Sequence, residues 1–443
     1  MDKDNLQLNI KMSLEVIRTY EWLLDLFVLD FFVDDHWNKL PLSWQRSFQD
    51  MDPADLGKLL VGLPTKHMLP LSFIALLNTV KALTIPRQTQ SNSYENNPNI
   101  DDTTEFNCGN HPRLKNLFLK HVKLKKRHEI SVMADVVNAV ATRTHCRSVI
   151  DFGSGLGHLV RVLAYKYDIY VAGIECQSQL TDEARKLDKE LEYTAKKHLS
   201  EDAISKLKQP VHLNVRLSTE DQLHHLVLPE TMTNYGLIGL HPCGDLGPLL
   251  LKHFVKNPHV KFICVVGCCF MKLTNEGYPM SEYVKTLDHH LSYTMTEISC
   301  HAIEVYCERL IKGQYEDLKI HAFRAALERV LVGLDPKLHH APVRSIKHSK
   351  NMDFKGYCQM ALQRLNIPVP SSQEVLSQAE RDLAQWRRVV AVYTLRLALA
   401  PLVETVVLYD RVLYVLEHGL SCDIRAVFDP KLSPRNHVIV GER

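Results

Sequence analysis

Residues 148–158, with the sequence SVIDFGSGLGH, decide the fold of this chain. The apolar run 148–152 predicts a β-strand that carries Asp151 near its end. Glycine then stands at every second position, and apolar residues repeat at helical spacing after it. Glycine in a strand–helix turn lets the backbone approach a ligand closely, while the first turn of the helix presents free N–H groups to it. The pattern therefore predicts a ligand-binding turn between a strand and a helix.

A carboxylate marks the end of the next strand. The second apolar run, 170–174, is followed directly by Glu175. In a parallel sheet this side chain lies beside the glycine turn, where it can accept hydrogen bonds from both hydroxyls of a ribose. The order of strand, glycine turn, helix, strand and acid is typical of domains that bind a nucleotide-containing cofactor.

Two cofactors fit this order: a dinucleotide and S-adenosylmethionine. The dinucleotide spacing is G-x-G-x-x-G, whereas this chain has G-x-G-x-G with Asp151 two residues before the first glycine. A carboxylate at that place repels a pyrophosphate but attracts the cationic amino acid end of S-adenosylmethionine. The sequence thus favours S-adenosylmethionine, with a dinucleotide or a ligand-free strand–helix turn as the alternatives.

The composition of the chain indicates the cellular compartment in which it is expected to fold and act. The 443 residues carry a formal net charge of only +2, which predicts no strong general attraction to nucleic acid or membranes. The eleven cysteines show no regular spacing, and the N-terminal Met-Asp-Lys-Asp lacks the features of a secretory or transit peptide. Such cysteine usage is typical of a reducing compartment, so we expect a cytoplasmic or nuclear protein.

One segment, 389–416, is apolar enough to resemble a membrane span. Arg396, Glu404 and the Asp410-Arg411 pair interrupt it, and Pro401 is expected to break or kink a helix there. Charged side chains at bilayer depth are costly. We therefore interpret the segment as a pair of buried core helices and expect no association with a membrane.

The hydrophobic pattern divides the chain into five regions. After a helical and then a polar stretch, strands alternate with helices, which indicates a parallel sheet. Two β-prone runs around the turn 429–436 predict a terminal hairpin. The predicted regions are 1–85 (N-terminal helical region), 86–112 (flexible linker), 113–275 (core), 276–400 (helical insertion) and 401–443 (C-terminal helix and β-hairpin).

We expect an α/β fold, the Rossmann-like seven-stranded sheet of class I methyltransferases, in which the last strand runs antiparallel. A long, charged helical stretch is predicted at 181–208. The strands are predicted at 148–152, 170–174, 211–217, 235–240, 260–266, 424–428 and 437–440.

Polar side chains follow the fourth and fifth predicted strands. His241, Cys243 and Asp245 follow strand four, while Cys268 and Cys269 follow strand five. Ligands bind beyond the carboxyl ends of parallel strands, so these residues are expected to converge beside the cofactor. We predict His241 and Asp245 as catalytic residues, acting as general base or orienting the substrate, and the three cysteines as the substrate pocket.

Two other interpretations of this cluster stay open. His241, Cys243, Cys268 and Cys269 have the side-chain types that bind zinc, but adjacent strand residues point to opposite faces. We therefore predict no metal. Alternatively, the thiols only pack at a crowded strand end, since free cysteine is among the most buried residue types.

Further cofactor contacts are expected from outside the glycine turn. Lys125 and His128, in a basic run before the first strand, could reach the donor's carboxylate or a substrate phosphate, although a solvated helix face explains the run equally well. Glu220, after strand three, could contact the adenine amino group. The complete predicted cofactor set is Lys125, His128, Asp151, Gly153, Ser154, Gly155, Gly157, Glu175, Glu220 and His241.

Several motifs occur in an order that resembles the methyltransferase-like 25 family, whose shorter animal branch carries the description "ribosomal RNA adenine dimethylase domain-containing". The resemblance extends from about residue 10 to the end and implies a class I methyltransferase fold that uses S-adenosylmethionine. The motifs are Lys125-Lys126-Arg127-His128-Glu129, the 151–157 turn, His241-Pro242-Cys243-Gly244-Asp245-Leu246, Val266-Gly267-Cys268-Cys269, LKIHAFRAALE at 318–328 and Leu432-Ser433-Pro434-Arg435-Asn436.

The motif after strand four bears on the substrate. Adenine N6 methylases carry Asn/Asp/Ser-Pro-Pro-aromatic there, whereas this chain has His241-Pro242-Cys243-Gly244, which argues against adenine N6-dimethylation. The motif is more similar to that of transfer-RNA ribose 2′-O-methyltransferases. We therefore expect an S-adenosylmethionine-dependent methyltransferase acting on RNA, at ribose or base. A protein or small-molecule acceptor, or a catalytically silent cofactor-binding scaffold, is the alternative.

Overall fold

The computed structural model describes residues 2–89, 122–205, 207–217, 219, 222–223, 225–226, 229, 232–346, 352–363, 365 and 367–443. The strands are β1 (Ser148–Phe152), β2 (Tyr170–Glu175), β3 (Val211–Asn214), β4 (Tyr235–Leu240), β5 (Val260–Val266), β6 (Ser421–Ala426) and β7 (His437–Glu442). The helices are α1 (Lys3–Thr19), α2 (Glu21–Leu24), α3 (His36–Lys39), α4 (Leu42–Phe48), α5 (Pro53–Leu60), α6 (Leu71–Leu83), α7 (Leu124–Arg143), α8 (His158–Tyr167), α9 (Ser178–Ala195), α10 (Glu201–Ser205), α11 (Leu246–Lys256), α12 (Glu282–Lys285), α13 (Tyr293–Ile298), α14 (Ile303–Ile311), α15 (Glu316–Leu334), α16 (Phe354–Leu362), α17 (Gln373–Ala384) and α18 (Trp386–Glu417).

The seven strands form one sheet in the order β3-β2-β1-β4-β5-β7-β6. The first five strands pair in parallel, and β7 runs antiparallel to both β5 and β6. The predicted α/β fold with a class I methyltransferase sheet is therefore confirmed. Strand order reverses between β1 and β4, so a crevice is expected at their carboxyl ends, where open α/β sheets bind their ligands.

Burial explains why the central strands read as continuous apolar runs. Every residue of β1 and β4 is buried, because helices cover both faces of a parallel sheet. One hydrophobic cluster joins α7 and α8 to these strands and continues into the C-terminal hairpin through Phe428 and Val438. The hairpin is thus part of the core.

Several predicted boundaries differ from the structure. Strand β3 ends at Asn214 because its partner β2 ends at Glu175, and the ladder stops with that pair. The helical stretch predicted at 181–208 is two helices, α9 and α10. In the hairpin, β6 is shifted toward the N-terminus relative to the predicted 424–428, and β7 continues beyond the predicted end at residue 440. The two strands pair with each other along their whole length.

The described residues divide into two compact units. One, the sheet unit, comprises Met1–Lys11, Ile85–His289 and Thr405–Arg443; the other, the helical unit, comprises Met12–Thr84 and His290–Glu404. The helical unit thus joins the N-terminal helices to those of the insertion, a grouping that was not among the predicted regions. Most of the predicted linker 86–112, from residue 90 onward, lies outside the described residues.

Local signals account for helix packing in the helical unit. Helix α5 begins where Asp52 accepts a hydrogen bond from Ala54 N at 2.8 Å, with Pro53 in the first turn. Gly57 lies where a Cβ atom would come within 2.8 Å of the Leu310 side chain. The glycine therefore allows close approach of α5 and α14.

The expected break at Pro401 is wrong. Residues 386–417 form one continuous helix, α18, with Pro401 inside it. This helix is long and apolar enough to cross a membrane, but 94% of its most apolar stretch is buried inside the protein. Packing on all sides outweighs the roughly 3 kcal/mol by which an internal proline destabilises a helix. Its interpretation as a core segment agrees with this burial.

A buried ionic network formed by Arg161, Asp188 and His212 holds the glycine turn in place. Arg161 Nε donates to Asp188 Oδ1 at 2.5 Å, and His212 Nε2 lies 2.6 Å from Asp188 Oδ2. The Arg161 guanidinium also donates to the Leu156 carbonyl inside the turn. The network therefore ties α8, α9 and β3 to the turn.

Replacing Arg161 with leucine should lower the free energy of unfolding by about 3–5 kcal/mol, because Asp188 would keep a buried charge without its cation. Denaturant unfolding measures the change. Lys186→Ala is the control, since that side chain is 74% exposed and its loss should cost no more than about 0.5 kcal/mol. Equal effects of the two substitutions would contradict a supporting role for the network.

Candidate active site

Two cavities flank the glycine turn, and Gly153 lines both. The large cavity, of about 690 Å³, is lined by Phe152, Gly153, Ile174, Glu175, Cys176, Val215, Arg216, Leu217, Thr219, Cys243, Asp245, Leu246, Leu249, Lys252 and Glu276. The small cavity, of about 400 Å³, is lined by Val122, Lys123, Lys126, Ile130, Asp151, Gly153, Ser154, Gly155, Leu156, His158, Leu159, Leu180 and Leu240.

The three glycines of the turn have different roles. Gly153 and Gly155 have φ angles of 73° and 55°, and a Cβ atom on either would meet open space. Their backbone thus has open space in front of it, which would allow a ligand to approach closely. Gly157 also has a positive φ of 69°, but its Cβ would lie 2.4 Å from the His212 ring. Its role is to pack against His212, which departs from the predicted cofactor contact.

Glu175 fastens the turn to the end of β2. Its carboxylate accepts a hydrogen bond from Gly155 N at 3.1 Å and one from Gln177 N at 3.0 Å. The side chain lines the large cavity and is 7% exposed. A carboxylate oxygen accepts more than one hydrogen bond, so Glu175 retains acceptor capacity toward the cavity.

Asp151 lies at the opposite side of the turn, in the small cavity. Its carboxyl is 2% exposed, and burial raises its pKa to about 7, against the opposing effect of the Lys126 charge. Nearby, Ser154 Oγ is buried without a hydrogen-bond partner among the described residues. The small cavity therefore presents a carboxyl and a hydroxyl with unused hydrogen-bonding capacity.

The basic run before β1 contributes different residues from those predicted. Lys123 and Lys126 line the small cavity, and Lys125 does not. His128 faces the C-terminal hairpin, where its Nε2 accepts a hydrogen bond from Asp429 N at 2.9 Å. Helical spacing explains the difference, because residues three apart, such as 123 and 126, share a face.

Glu129 is the centre of the polar contacts at this end of the sheet. It is 1% exposed, lies 3.0 Å from His241 Nε2 and accepts a hydrogen bond from Ser433 Oγ at 2.7 Å. Burial alone would raise its pKa, but the contacts with His241 and Ser433 lower it to about 2. Glu129 is therefore a buried carboxylate that joins α7, the end of β4 and the hairpin.

His241 lines neither of the two cavities, but its neighbours along the chain line both. It follows Leu240, which lines the small cavity, and precedes Cys243 in the large one. Its φ of 71° turns the chain sharply at the end of β4. Its side chain is 23% exposed, and the hydrogen bond to Glu129 places the ring proton on Nε2. Nδ1 is then the nitrogen able to accept a proton.

Asp245 lines the large cavity, but its oxygens are engaged. Oδ1 accepts a hydrogen bond from Thr274 N at 3.0 Å, and Oδ2 accepts one from Thr274 Oγ1 at 2.7 Å. The carboxylate thus holds the segment after β5 in place. The geometry favours this anchoring role over the predicted catalytic one.

The three cysteines at the strand ends converge. Cys243 Sγ lies 3.2 Å from Cys268 Sγ and 3.3 Å from Cys269 Sγ. Hydrogen bonding from Cys268 lowers the pKa of Cys243 to about 5 and, with burial, raises the pKa of Cys268. The premise that adjacent residues must point apart is wrong here, because β5 ends at Val266 and Cys269 has a positive φ of 22°.

Some site residues were not among those predicted. Glu129 lies in the basic run before β1, where a single acid among cations indicates a surface ion pair. Ser433 belongs to the motif at 432–436, whose sequence alone does not indicate a role. Arg216 and Leu217 line the large cavity directly after β3, a position that strand-end logic indicates. Glu220, predicted at the adenine, lies outside the described residues.

Comparison with known proteins agrees with this geometry. Residues 125–276 match a family model described as a methyltransferase domain, Methyltransf_32. The match contains the glycine turn, Glu175, the end of β4 and the cysteine-rich end of β5. It excludes the C-terminal hairpin, whose Ser433 completes the contacts of Glu129.

Two relatives are called probable methyltransferase-like protein 25. The mouse protein is 28% identical over 246 residues, and the human protein is 27% identical over 246 residues. Each alignment covers 51% of this chain, and the chain spans about two-fifths of the relatives' length, 40% and 39%.

Among solved structures, the plantazolicin methyltransferase BamL, in complex with a triazolic desmethylPZN analog and SAH, is 12% identical to this chain. That alignment covers 62% of this chain and 85% of BamL, with a TM-score of 0.24. The chain thus contains a methyltransferase domain and is related in sequence to the methyltransferase-like 25 proteins, as its motifs predicted.

Proposed function

We propose that this chain binds S-adenosylmethionine across the glycine turn and catalyses transfer of its methyl group. The observation that carries the proposal is the placement of two carboxyl side chains on either side of Gly153, with Asp151 in the small cavity and Glu175 in the large one. S-adenosylmethionine has a cationic ammonium group at its amino acid end and a ribose diol toward the other end, so it matches both carboxyls at once.

The two cavities suit the two ends of this donor. In the small cavity, Asp151 and Ser154 would hold the ammonium group, and Lys126 would hold the carboxylate. In the large cavity, Glu175 would accept the ribose hydroxyls, and Leu217 would pack against the adenine. The reacting centre would then lie near Gly153, where the cavities meet.

When bound, the donor supplies a methyl group that its sulfonium already activates. The protein therefore has to position the acceptor and remove its proton. His241, held by Glu129, has Nδ1 available to take that proton as the acceptor atom forms its bond to the methyl carbon and the carbon–sulfur bond breaks. The arrangement of carboxylate and imidazole resembles the orienting pair of a catalytic triad.

RNA is the acceptor class that we propose. Two cations, Lys123 and Lys126, line the small cavity against one acid, Asp151, and an excess of positive charge favours a polyanion. The described cysteines are all free thiols, which supports the cytoplasm or nucleus as the compartment. A protein or small-molecule acceptor is the competing outcome.

The acceptor class is tested with radiolabelled donor and separated RNA, protein and small-molecule fractions from cells. We expect label in RNA that is sensitive to ribonuclease and resistant to protease. Label confined to protein or to small molecules would contradict RNA as the acceptor. Donor binding with no labelling of any fraction would favour a silent scaffold.

Donor binding should depend on both sides of the turn. Gly155→Arg should abolish binding because the side chain would need an unfavourable positive φ and would fill the cavity. Glu175→Ala should weaken binding by about 1.5–3 kcal/mol, the range for hydrogen bonds to a charged group. Calorimetry measures both effects, and wild-type affinity in both variants would show that the pocket is wrongly assigned.

The affinity for the donor should increase as the pH is raised from acidic values toward 7. Burial raises the pKa of Asp151 to about 7, so the carboxyl is mainly protonated below pH 7, and a bound cation favours its ionised form. Binding should therefore release a proton, and affinity should fall by up to roughly tenfold for each pH unit below 7. Calorimetry at pH 6 in buffers of different ionisation enthalpy gives the number of protons released when the donor binds. Asp151→Asn should remove this release, and an unchanged release in that variant would refute the assignment.

His241→Ala should keep donor affinity within a few-fold while turnover falls roughly 10²–10⁴-fold, the range for a lost general base. Glu129→Gln should also lower turnover, because it weakens the orientation of the ring. Asp245→Asn is the comparison variant, with a smaller loss expected because the side chain holds Thr274. A large loss in Asp245→Asn with full turnover in His241→Ala would reverse the two roles.

A further inference from the structure

Cys243, Cys268 and Cys269 form a compact group of three thiols at the ends of β4 and β5. Their sulfur atoms all lie within 4.8 Å of one another. Cys268 is buried, Cys269 is partly buried, and Cys243 is exposed toward the large cavity. The group thus has a closed side within the protein and an open side toward the cavity.

The sulfur separations differ from those of a disulfide. They are 3.2 and 3.3 Å, whereas a disulfide requires about 2.05 Å. Zinc–sulfur bonds of about 2.3 Å in a tetrahedral site place the sulfur atoms about 3.8 Å apart. An outward movement of roughly half an ångström would therefore bring the three thiols to the spacing of metal ligands.

The surroundings carry compensating positive charge. The Arg411 guanidinium is completely buried, lies 5.6 Å from the centre of the Phe270 ring and is so close to Gly267 that a Cβ there would come within 2.9 Å of it. Three thiolates and one divalent cation have a net charge of −1, and Arg411 offsets it. The Arg411 charge also interacts with the carboxylates of Asp410 and Asp245, so it does not depend on the thiols alone for compensation.

We propose that Cys243, Cys268 and Cys269 bind one Zn²⁺ ion, or another divalent cation that prefers thiolate ligands, and that the fourth coordination position faces the large cavity. Three protein ligands and an open position are typical of catalytic zinc. This replaces the prediction that the chain has no metal site. The site itself does not depend on methyl transfer; only the further step, that the open position receives the methyl acceptor, rests on the proposed function.

The wild-type chain tests the proposal without any substitution. Protein purified under reducing conditions should contain about one zinc per chain and should lose that mass between native and denaturing mass spectrometry. Exchange with Co²⁺ should give thiolate-to-cobalt charge-transfer absorption. Bound metal should also protect Cys243, Cys268 and Cys269 from alkylation, while Cys176, which is exposed in the same cavity, reacts.

Single substitutions then assign the ligands. Cys243→Ser and Cys269→Ser should each weaken metal affinity at least roughly tenfold, whereas Cys176→Ser should leave it unchanged. Metal-free protein that shows no cobalt absorption would overturn the proposal, and so would a disulfide between Cys243 and either partner. Donor calorimetry on the same samples separates the outcomes, because a metal-free chain that binds donor refutes only the metal site.

Discussion

The structure of the site depends on the burial of one charge. Glu129 is almost completely enclosed, and a carboxylate without partners in that position would cost several kcal/mol. His241 and Ser433 supply those partners from the end of β4 and from the C-terminal hairpin loop. Lys125 and Lys126 of the same helix lie 3.8 and 3.9 Å from the carboxylate, but its hydrogen bonds to His241 and Ser433 form only when three segments that are distant in sequence have assembled. The orientation of the His241 ring follows from that assembly.

Much of the fold could be predicted because the central strands are apolar throughout. Strands β1, β4 and β5 were placed at their observed bounds, and Glu175 was expected at the end of β2. The exceptions have physical causes. Pro401 stays within α18 because packing around that helix is extensive, which local sequence does not reveal. The bounds of β3 depend on where its partner ends.

The candidate site was predicted less completely. The residues at the strand ends were identified, but their directions depend on backbone angles that sequence does not specify. Positive φ values at His241 and Cys269 redirect the chain just after β4 and β5, and the second brings adjacent thiols to one side. Glu129 was overlooked because its surroundings in sequence are basic and polar, whereas its surroundings in space are closed. Lys125 and His128 were expected at the cofactor, yet Lys123 and Lys126 face the small cavity.

Consecutive residues of α18 fix the segment that follows β5. Asp410 accepts hydrogen bonds from Met280 N and Ser281 N, and the Arg411 guanidinium lies behind Gly267. Residue 267 carries no functional group, yet any side chain there would displace a buried cation next to the thiols. A natural variant at this position could therefore inactivate the protein while the residues in the cavities stay unchanged. In a survey of inherited variation, the lack of a functional side chain at a position would be a misleading guide to harm.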